Sequence, residues 1–294
     1  MFLVSDTETD ALDLPAGDYD LPLVIQDRTF DDNNQLVYAA GAMPDQMMGF
    51  LGDQILVNGK PNYTLSVSTR PYRLRLLNGS NSRIYKLAWN DGTPLTVIGT
   101  DGGLLEAPIQ RECITLAPTE RIELWADFSH YDVGTELVLQ SLPFASETMD
   151  DMGGGGMMGN GGRGSEMMGA TAALPQGAGF SVLNIRIEHQ ETASLRLPAH
   201  LSTTNRYQLT DAINSRTPRA FSFAMQQMAW TINGRTFQMS QVANDEIVQL
   251  GTMEVWELVN NTSSGMTMAR FWNRDLLGFV VFAKFLKRIQ IRIG

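Results

Sequence analysis

The sequence predicts an all-β protein built from two related β domains in tandem, and three observations carry that prediction. A strand-like run, Gly52-Asp53-Gln54-Ile55-Leu56-Val57, ends in Asn58-Gly59, the dipeptide that most readily takes the positive φ angles of a tight hairpin. The stretch Tyr72-Arg73-Leu74-Arg75-Leu76-Leu77-Asn78 then alternates Tyr72, Leu74 and Leu76 on one face with Arg73 and Arg75 on the other, the pattern of a half-buried strand. Both phrases return. Trp230-Thr231-Ile232-Asn233-Gly234-Arg235 echoes Ile55 to Lys60, and Val255-Trp256-Glu257-Leu258-Val259-Asn260-Asn261 echoes Tyr72 to Asn78, with turn glycine and closing Asn 78 − 59 = 19 residues apart in the first copy and 260 − 234 = 26 in the second.

In chain order, residues 1–20 carry Pro15, Gly17 and several acids and read as an irregular lead-in. From residue 21 to about 145, short strands are expected at Leu23–Gln26, Gln35–Tyr38, Ile55–Val57, Tyr72–Leu77, Tyr85–Trp89, Leu95–Thr100, Glu112–Leu116, Arg121–Phe128 and Glu136–Gln140. Turns at Asp31–Asn34, Asn90–Gly92 and Ala117–Glu120 separate them, and no long stretch keeps a helical period. Residues 149–170 break the pattern: nine glycines and six methionines (Met149, Met152, Met157, Met158, Met167, Met168) stand with Asp150, Asp151 and Glu166. That composition is too poor in branched apolar residues to fold alone and predicts a mobile loop. Phe180–Ile187 is expected to be the last strand of the first domain, which is taken as 21–190, and 191–219, with Pro198 and Pro218, reads as a linker. The second domain, 220–294, is expected to be partial.

The tail 269–294 differs in character. It holds six basic residues against Asp275, a charge of +5, while the remainder is 16 − 31 = −15. Two readings stand for it: a change of reading frame near residue 268, or a genuine C-terminal helix or strand pair. Its apolar run Leu276 to Ala283 is too short to span a bilayer.

Bulk properties exclude several classes. The net charge of −10 leaves no general basic field for nucleic acid. A single cysteine, Cys113, rules out an internal disulfide. Met1-Phe2-Leu3-Val4 gives way at once to Asp6, Glu8 and Asp10 instead of a secretory segment, so the chain as written is expected to be cytoplasmic. Gly154-x-Gly156-x-x-Gly159 matches a dinucleotide pattern that any glycine run satisfies, and no strand-to-helix unit surrounds it.

The run Leu21-Pro22-Leu23-Val24-Ile25-Gln26-Asp27-Arg28, the Asn-Gly and Tyr72–Asn78 phrases, and Thr100-Asp101-Gly102-Gly103 together resemble the middle domain of bacterial multicopper oxidases. The likeness is to the laccase-like and copper-tolerance cuprous-oxidase types, and it covers roughly residues 1–268. It implies a cupredoxin-like Greek-key β-sandwich, one complete domain followed by part of a second, preceded in a full-length parent by a first domain. It implies copper as cofactor, phenols or Cu(I) as substrates coupled to dioxygen reduction in a complete parent, and a periplasmic or secreted location for that parent.

The same resemblance assigns the catalytic coppers to His-X-His pairs and a two-His, one-Cys site, because imidazole and thiolate suit copper in both oxidation states. This chain has three histidines, His130, His189 and His200, none in such a pair. Cys113 lacks flanking histidines and reads as a buried structural thiol. No catalytic residue is therefore expected, and the chain by itself is expected to be a non-catalytic fragment. The remaining candidates for copper are Met149, Met152, Met157, Met158, Met167 and Met168, soft thioether donors matched to Cu(I) on a glycine-rich backbone, with Met43, Met47 and Met48 as a smaller group. Equally open is that these methionines are merely tolerated in a loop while Met225, Met228, Met239 and Met253 fill core gaps. A bare β-sandwich without activity is the remaining alternative, and unpaired sheet edges are its expected route to self-association.

Overall fold

The computed structural model describes residues 6–38, 49–145, 174–193, 195–203, 208–226, 229–236, 238, 240–260, 279–281 and 288–293. The chain divides into two compact units, Met1–Thr204 and Asn205–Gly294.

The first unit is a two-sheet sandwich. Its larger sheet is centred on β1 (Asp20–Phe30), which pairs in parallel with β6 (Pro71–Asn78) and antiparallel with β2 (Leu36–Val37) and β3 (Gln54–Val57). With β4 (Lys60–Pro61), β8 (Leu95–Thr100), β9 (Gly103–Arg111) and β11 (Arg121–Asp127), its order is β4-β3-β1-β6-β11-β8-β9. The second sheet runs β10-β7-β12-β13-β5, formed by Ile114–Leu116, Tyr85–Trp89, Glu136–Ser141, Phe180–His189 and Thr64–Ser68 respectively. After β1 to β4, all in the larger sheet, the chain crosses repeatedly between the two sheets, at β4 to β5, β5 to β6, β6 to β7, β7 to β8, β9 to β10, β10 to β11 and β11 to β12, which is the Greek-key, cupredoxin-like sandwich expected.

Alternation decides which side chains meet between the sheets. Tyr72, Leu74 and Leu76 of β6 join Leu23 and Ile25 of β1 and Leu124 of β11, and these pack on Leu87, Leu139, Ile185 and Ile187 of the second sheet. Each fully buried Leu or Ile is worth about 1.5–3 kcal/mol relative to exposure. Arg73 and Arg75 point to the opposite face, where they pair with Asp20 and Glu123. The three turns fall where the sequence places them, closed by Asn34 N to Asp31 O (2.9 Å), Gly92 N to Trp89 O (3.3 Å) and Glu120 N to Ala117 O (3.1 Å).

The outer face of the larger sheet is also covered. Leu14 and Leu201 are buried against Ile98 and Trp125, with Leu12, Leu195 and Leu197 packed around them. Residues on either side of the sandwich in sequence, read as lead-in and linker, therefore supply a second small core. The later segment is clasped where it leaves β13. Thr69 Oγ1 donates to the Glu191 carbonyl (3.0 Å), Glu191 N donates back to Thr69 Oγ1 (2.9 Å), and Tyr19 OH donates to Glu191 Oε1 (3.0 Å). Arg70 ion-pairs with the same carboxylate and lies over the Tyr19 ring, its guanidinium carbon 3.4 Å from the centroid.

The second unit repeats the centre of the first. Strand β14 (Arg219–Gln226) pairs in parallel with β16 (Glu254–Asn260), and Phe223 stands opposite Asn260 as Ile25 stands opposite Asn78. In both units the turn Asn has positive φ, 50° at Asn58 and 51° at Asn233, followed by a positive-φ glycine. Both side chains reach across to the parallel strand: Asn58 Oδ1 accepts from Val24 N (2.8 Å) and its Nδ2 donates to Pro22 O (3.0 Å), while Asn233 Oδ1 accepts from Ser222 N (2.8 Å) and its Nδ2 donates to Ala220 O (3.3 Å). The five-stranded sheet is completed by β15 (Ala229–Ile232), β17 (Phe279–Val281) and β18 (Arg288–Ile293) in the order β15-β14-β16-β18-β17. The tail thus forms a strand pair, and β18 runs antiparallel to β16 with Ile289 opposite Leu258, the place that Ile122 of β11 takes opposite Leu76.

The clasp has a pH signature. Burial opposes ionisation of Glu191, but hydrogen bonds from Tyr19 and Arg70 outweigh it and hold the carboxyl below its ordinary range. A depressed carboxylate stabilises the fold above its unfolded pKa and loses that contribution as pH falls through the folded value. Protection of the amides at residues 195–201, taken relative to the intrinsic exchange rate at each pH, is accordingly expected to fall on acidification below the ordinary glutamate range, and Glu191→Gln is expected to show low protection at all pH. Protection that does not change with acidification in the unmodified chain would contradict the clasp.

Candidate metal-binding residues and a buried ion-pair knot

The six methionines Met149, Met152, Met157, Met158, Met167 and Met168 lie outside the described residues, as do Met43, Met47, Met48, Met228 and Met239. The histidines can be placed. His130 lies against Tyr131 with ring centroids 4.0 Å apart and the rings tilted by 37°. His189 closes β13, where its carbonyl accepts from Thr69 N (3.0 Å). His200 is exposed, with Nε2 3.4 Å from Thr203 Oγ1. Each sits on a different segment with its own local partner. Among the described residues no three His, Cys, Asp or Glu side chains form a group able to hold a metal.

Cys113 corrects the expectation of a buried thiol within a strand. It lies between β9 and β10 and is only half-buried. The apolar neighbours Ile114 and Leu116 carry the strand, and the thiol is left at its entrance.

What the structure does bring together is an ion pair that sequence reasoning passed over. Arg83 and Asp27 are both fully buried, with Arg83 Nε donating to Asp27 Oδ2 at 2.8 Å. The other two guanidinium nitrogens donate to main-chain carbonyls: Nη2 to those of Gly52 and Leu174, each at 2.7 Å, and Nη1 to that of Pro175 at 3.3 Å. Gly52 N donates to Asp27 Oδ2 at 2.8 Å. Only glycine fits there, since a Cβ would stand 2.3 Å from Arg28 N. Ser80 Oγ accepts from Asp27 N (3.1 Å) and lies 2.7 Å from Tyr85 OH, whose ionisation is pushed above its ordinary range by burial and then by the nearby Asp27 charge.

Arg83 therefore ties three pieces of chain to one point: β1, the residues that follow segment 39–48, and the residues that follow segment 146–173. Each of those segments carries methionines, and Met48 and Met168 precede the tied residues by 52 − 48 = 4 and 174 − 168 = 6 positions. The sequence signal for this knot was weak. Asp27 belongs to a recognisable strand phrase, but Ser82-Arg83-Ile84 looks like any surface arginine until its burial is seen.

Known proteins sharing the architecture bear on what the knot supports. A laccase from Bacillus stratosphericus is 38% identical over 150 residues, 48% of this chain and 29% of that protein. The cell division protein FtsP of Photorhabdus laumondii subsp. laumondii is 43% identical over 134 residues, 45% of this chain and 28% of that protein. A crystal structure of a variant of the McoA multicopper oxidase from Aquifex aeolicus matches 99% of this chain and 63% of that chain, with a TM-score of 0.73 and 27% identity. The chain is multicopper-oxidase-like. It spans less than a third of the length of these two curated relatives, and no family model matches it. The multicopper-oxidase architecture accounts for the sandwich of the first unit and the related sheet of the second and implies copper, while the relatives' names alone include both an oxidase and a cell division protein.

The knot makes a quantitative prediction. Removing one partner of a buried ion pair leaves an uncompensated charge, at a cost of about 3–5 kcal/mol. Arg83→Met is expected to lower the unfolding free energy by that amount in urea titration. Arg83→Lys should recover only part, because an ammonium cannot reproduce the planar fork that spans a carboxylate and three carbonyls. A loss below about 1 kcal/mol, the range of exposed pairs, would contradict the account.

Proposed function

We propose that this multicopper-oxidase-like chain handles cuprous copper through its methionine thioethers and does not by itself reduce dioxygen. The observation that supports this reading is the tie at Arg83, which holds together the residues that follow both methionine-bearing segments. The residues that follow the two methionine-bearing segments, Gly52 after 39–48 and Leu174 after 146–173, thereby share one guanidinium nitrogen, while the methionines themselves lie outside the described residues.

The donor set fits one copper chemistry and not the other. Thioether sulfur is neutral and polarisable and suits Cu(I), and copper held there would be sequestered in its reduced state. Three isolated histidines and one cysteine do not supply the imidazole pairs and thiolate of an oxygen-reducing centre. Oxidation of phenols or Cu(I) with dioxygen, the activity that the laccase resemblance implies for a complete parent, would need ligands from outside these residues, for example from another chain.

A second reading, a β-sandwich with no activity of its own, is favoured by the 43% identity to proteins named for cell division. Titration of Cu(I) against a chelator separates the two. Binding is expected in the unmodified chain and is expected to be lost when Met157, Met158, Met167 and Met168 are changed to Ser. Unchanged binding in that variant would sink the thioether assignment, and absence of binding in both would favour the inactive sandwich. Dioxygen uptake by the copper-loaded chain with a phenol would refute the statement that it lacks oxidase chemistry.

A further inference from the structure

Among the described residues two tyrosines donate their hydroxyl to a carboxylate, and their surroundings differ in one decisive respect. Tyr19 OH donates to Glu191, but the Arg70 guanidinium lies over the Tyr19 ring and pairs with the same carboxylate. A cation against the ring face opposes removal of an electron from it. Tyr131 OH donates to Asp91 Oδ2 at 2.6 Å, and its ring lies against the imidazole of His130, tilted by 37°.

Asp91 is built to remain in place. Its Oδ1 accepts from Thr93 N (3.0 Å), and its Oδ2 accepts from Thr93 Oγ1 (2.9 Å) as well as from Tyr131. Burial opposes ionisation of Asp91, yet the bonds from Tyr131 and Thr93 hold it below the ordinary carboxylate range, while burial and then the Asp91 bond push Tyr131 up. The ground state is thus a phenol facing a ready carboxylate, with the proton on the tyrosine.

The aromatic core opens to the surface at this point. Phe128 is buried and touches Trp89 (6.1 Å between centroids), Tyr72 (5.8 Å) and Tyr131 (6.4 Å), and Tyr131 is only half-buried.

We propose that Tyr131 is a redox-active tyrosine, the site at which the first sandwich gives up an electron to a strong one-electron oxidant. In that step the oxidant takes one electron from the Tyr131 ring, the phenolic O–H bond breaks, and the proton moves to Asp91 Oδ2, leaving a neutral tyrosyl radical, a protonated Asp91 and the oxidant reduced by one electron. The carboxylate acts as a positioned base, as in proton abstraction generally. Tyr72 and Tyr85 are poorer donors by their partners: the Tyr72 oxygen accepts from Ser68 N, and Tyr85 meets the hydroxyl of Ser80.

The test is oxidation of the full chain by photogenerated tris(bipyridine)ruthenium(III), read by paramagnetic resonance of the trapped radical and by peptide mapping of oxidised tyrosine. The expected result is a neutral tyrosyl signal that maps to Tyr131, disappears in Tyr131→Phe and persists in Tyr19→Phe. Asp91→Asn keeps an acceptor for Thr93 N but removes the base, and is expected to slow radical formation at least about tenfold. Oxidation distributed over tyrosines in proportion to exposure, with the well-exposed Tyr38 foremost, or an unchanged rate in Asp91→Asn, would overturn the proposal.

Discussion

A guanidinium with no access to water must find acceptors for its three nitrogens, and in the first unit Arg83 does so through four hydrogen bonds. Asp27 supplies the charge, and three carbonyls from chain segments far apart in sequence supply the rest. The pair is costly to desolvate and contributes most as a specification of geometry: the carbonyls of Gly52, Leu174 and Pro175 have one arrangement that satisfies it. Gly52 follows from the same constraint, because its backbone passes so close to Arg28 that no side chain fits. The two sheets supply the apolar burial, and the ion pair decides where the connections between strands must return.

The second unit shows which parts of this design are repeated. The Asn-Gly turn, the side-chain amide that bridges to the neighbouring parallel strand, and the register of that strand with the one ending in Asn78 or Asn260 recur in both units. The Asp27–Arg83 knot is not part of the repeat: at the position of β14 that corresponds to Asp27 by this register stands Met225. The repeat therefore lies in the hairpin and strand geometry, and the knot distinguishes the first unit.

Much of this was legible because alternation and turn chemistry act locally. Tyr85–Trp89 and Leu95–Thr100 were bounded correctly because each is an apolar-rich strand between strong turn signals. Strand β9 was missed because Gly103, Ala107 and Pro108 weaken its pattern, and it tolerates them as the outermost strand of its sheet. Leu12, Leu14, Leu195, Leu197 and Leu201 were passed over because their prolines and acids suggested connectors, although Leu195-Arg196-Leu197 alternates. The alternation Arg288-Ile289-Gln290-Ile291-Arg292-Ile293 was equally readable, and it lay hidden within a tail judged by its charge. Arg83 left no such trace, since burial of a charge is decided by long-range packing.

In the proposed reading fold and chemistry separate: the cupredoxin-like sandwich resembles that of multicopper oxidases, while the sulfur donors are proposed to hold reduced copper. X-ray absorption at the copper edge of the Cu(I)-loaded chain tests that separation most directly. The account predicts a first shell of sulfur scatterers without the outer-shell pattern of imidazole. A first shell of histidine nitrogens, or a thiolate together with imidazoles, would contradict it.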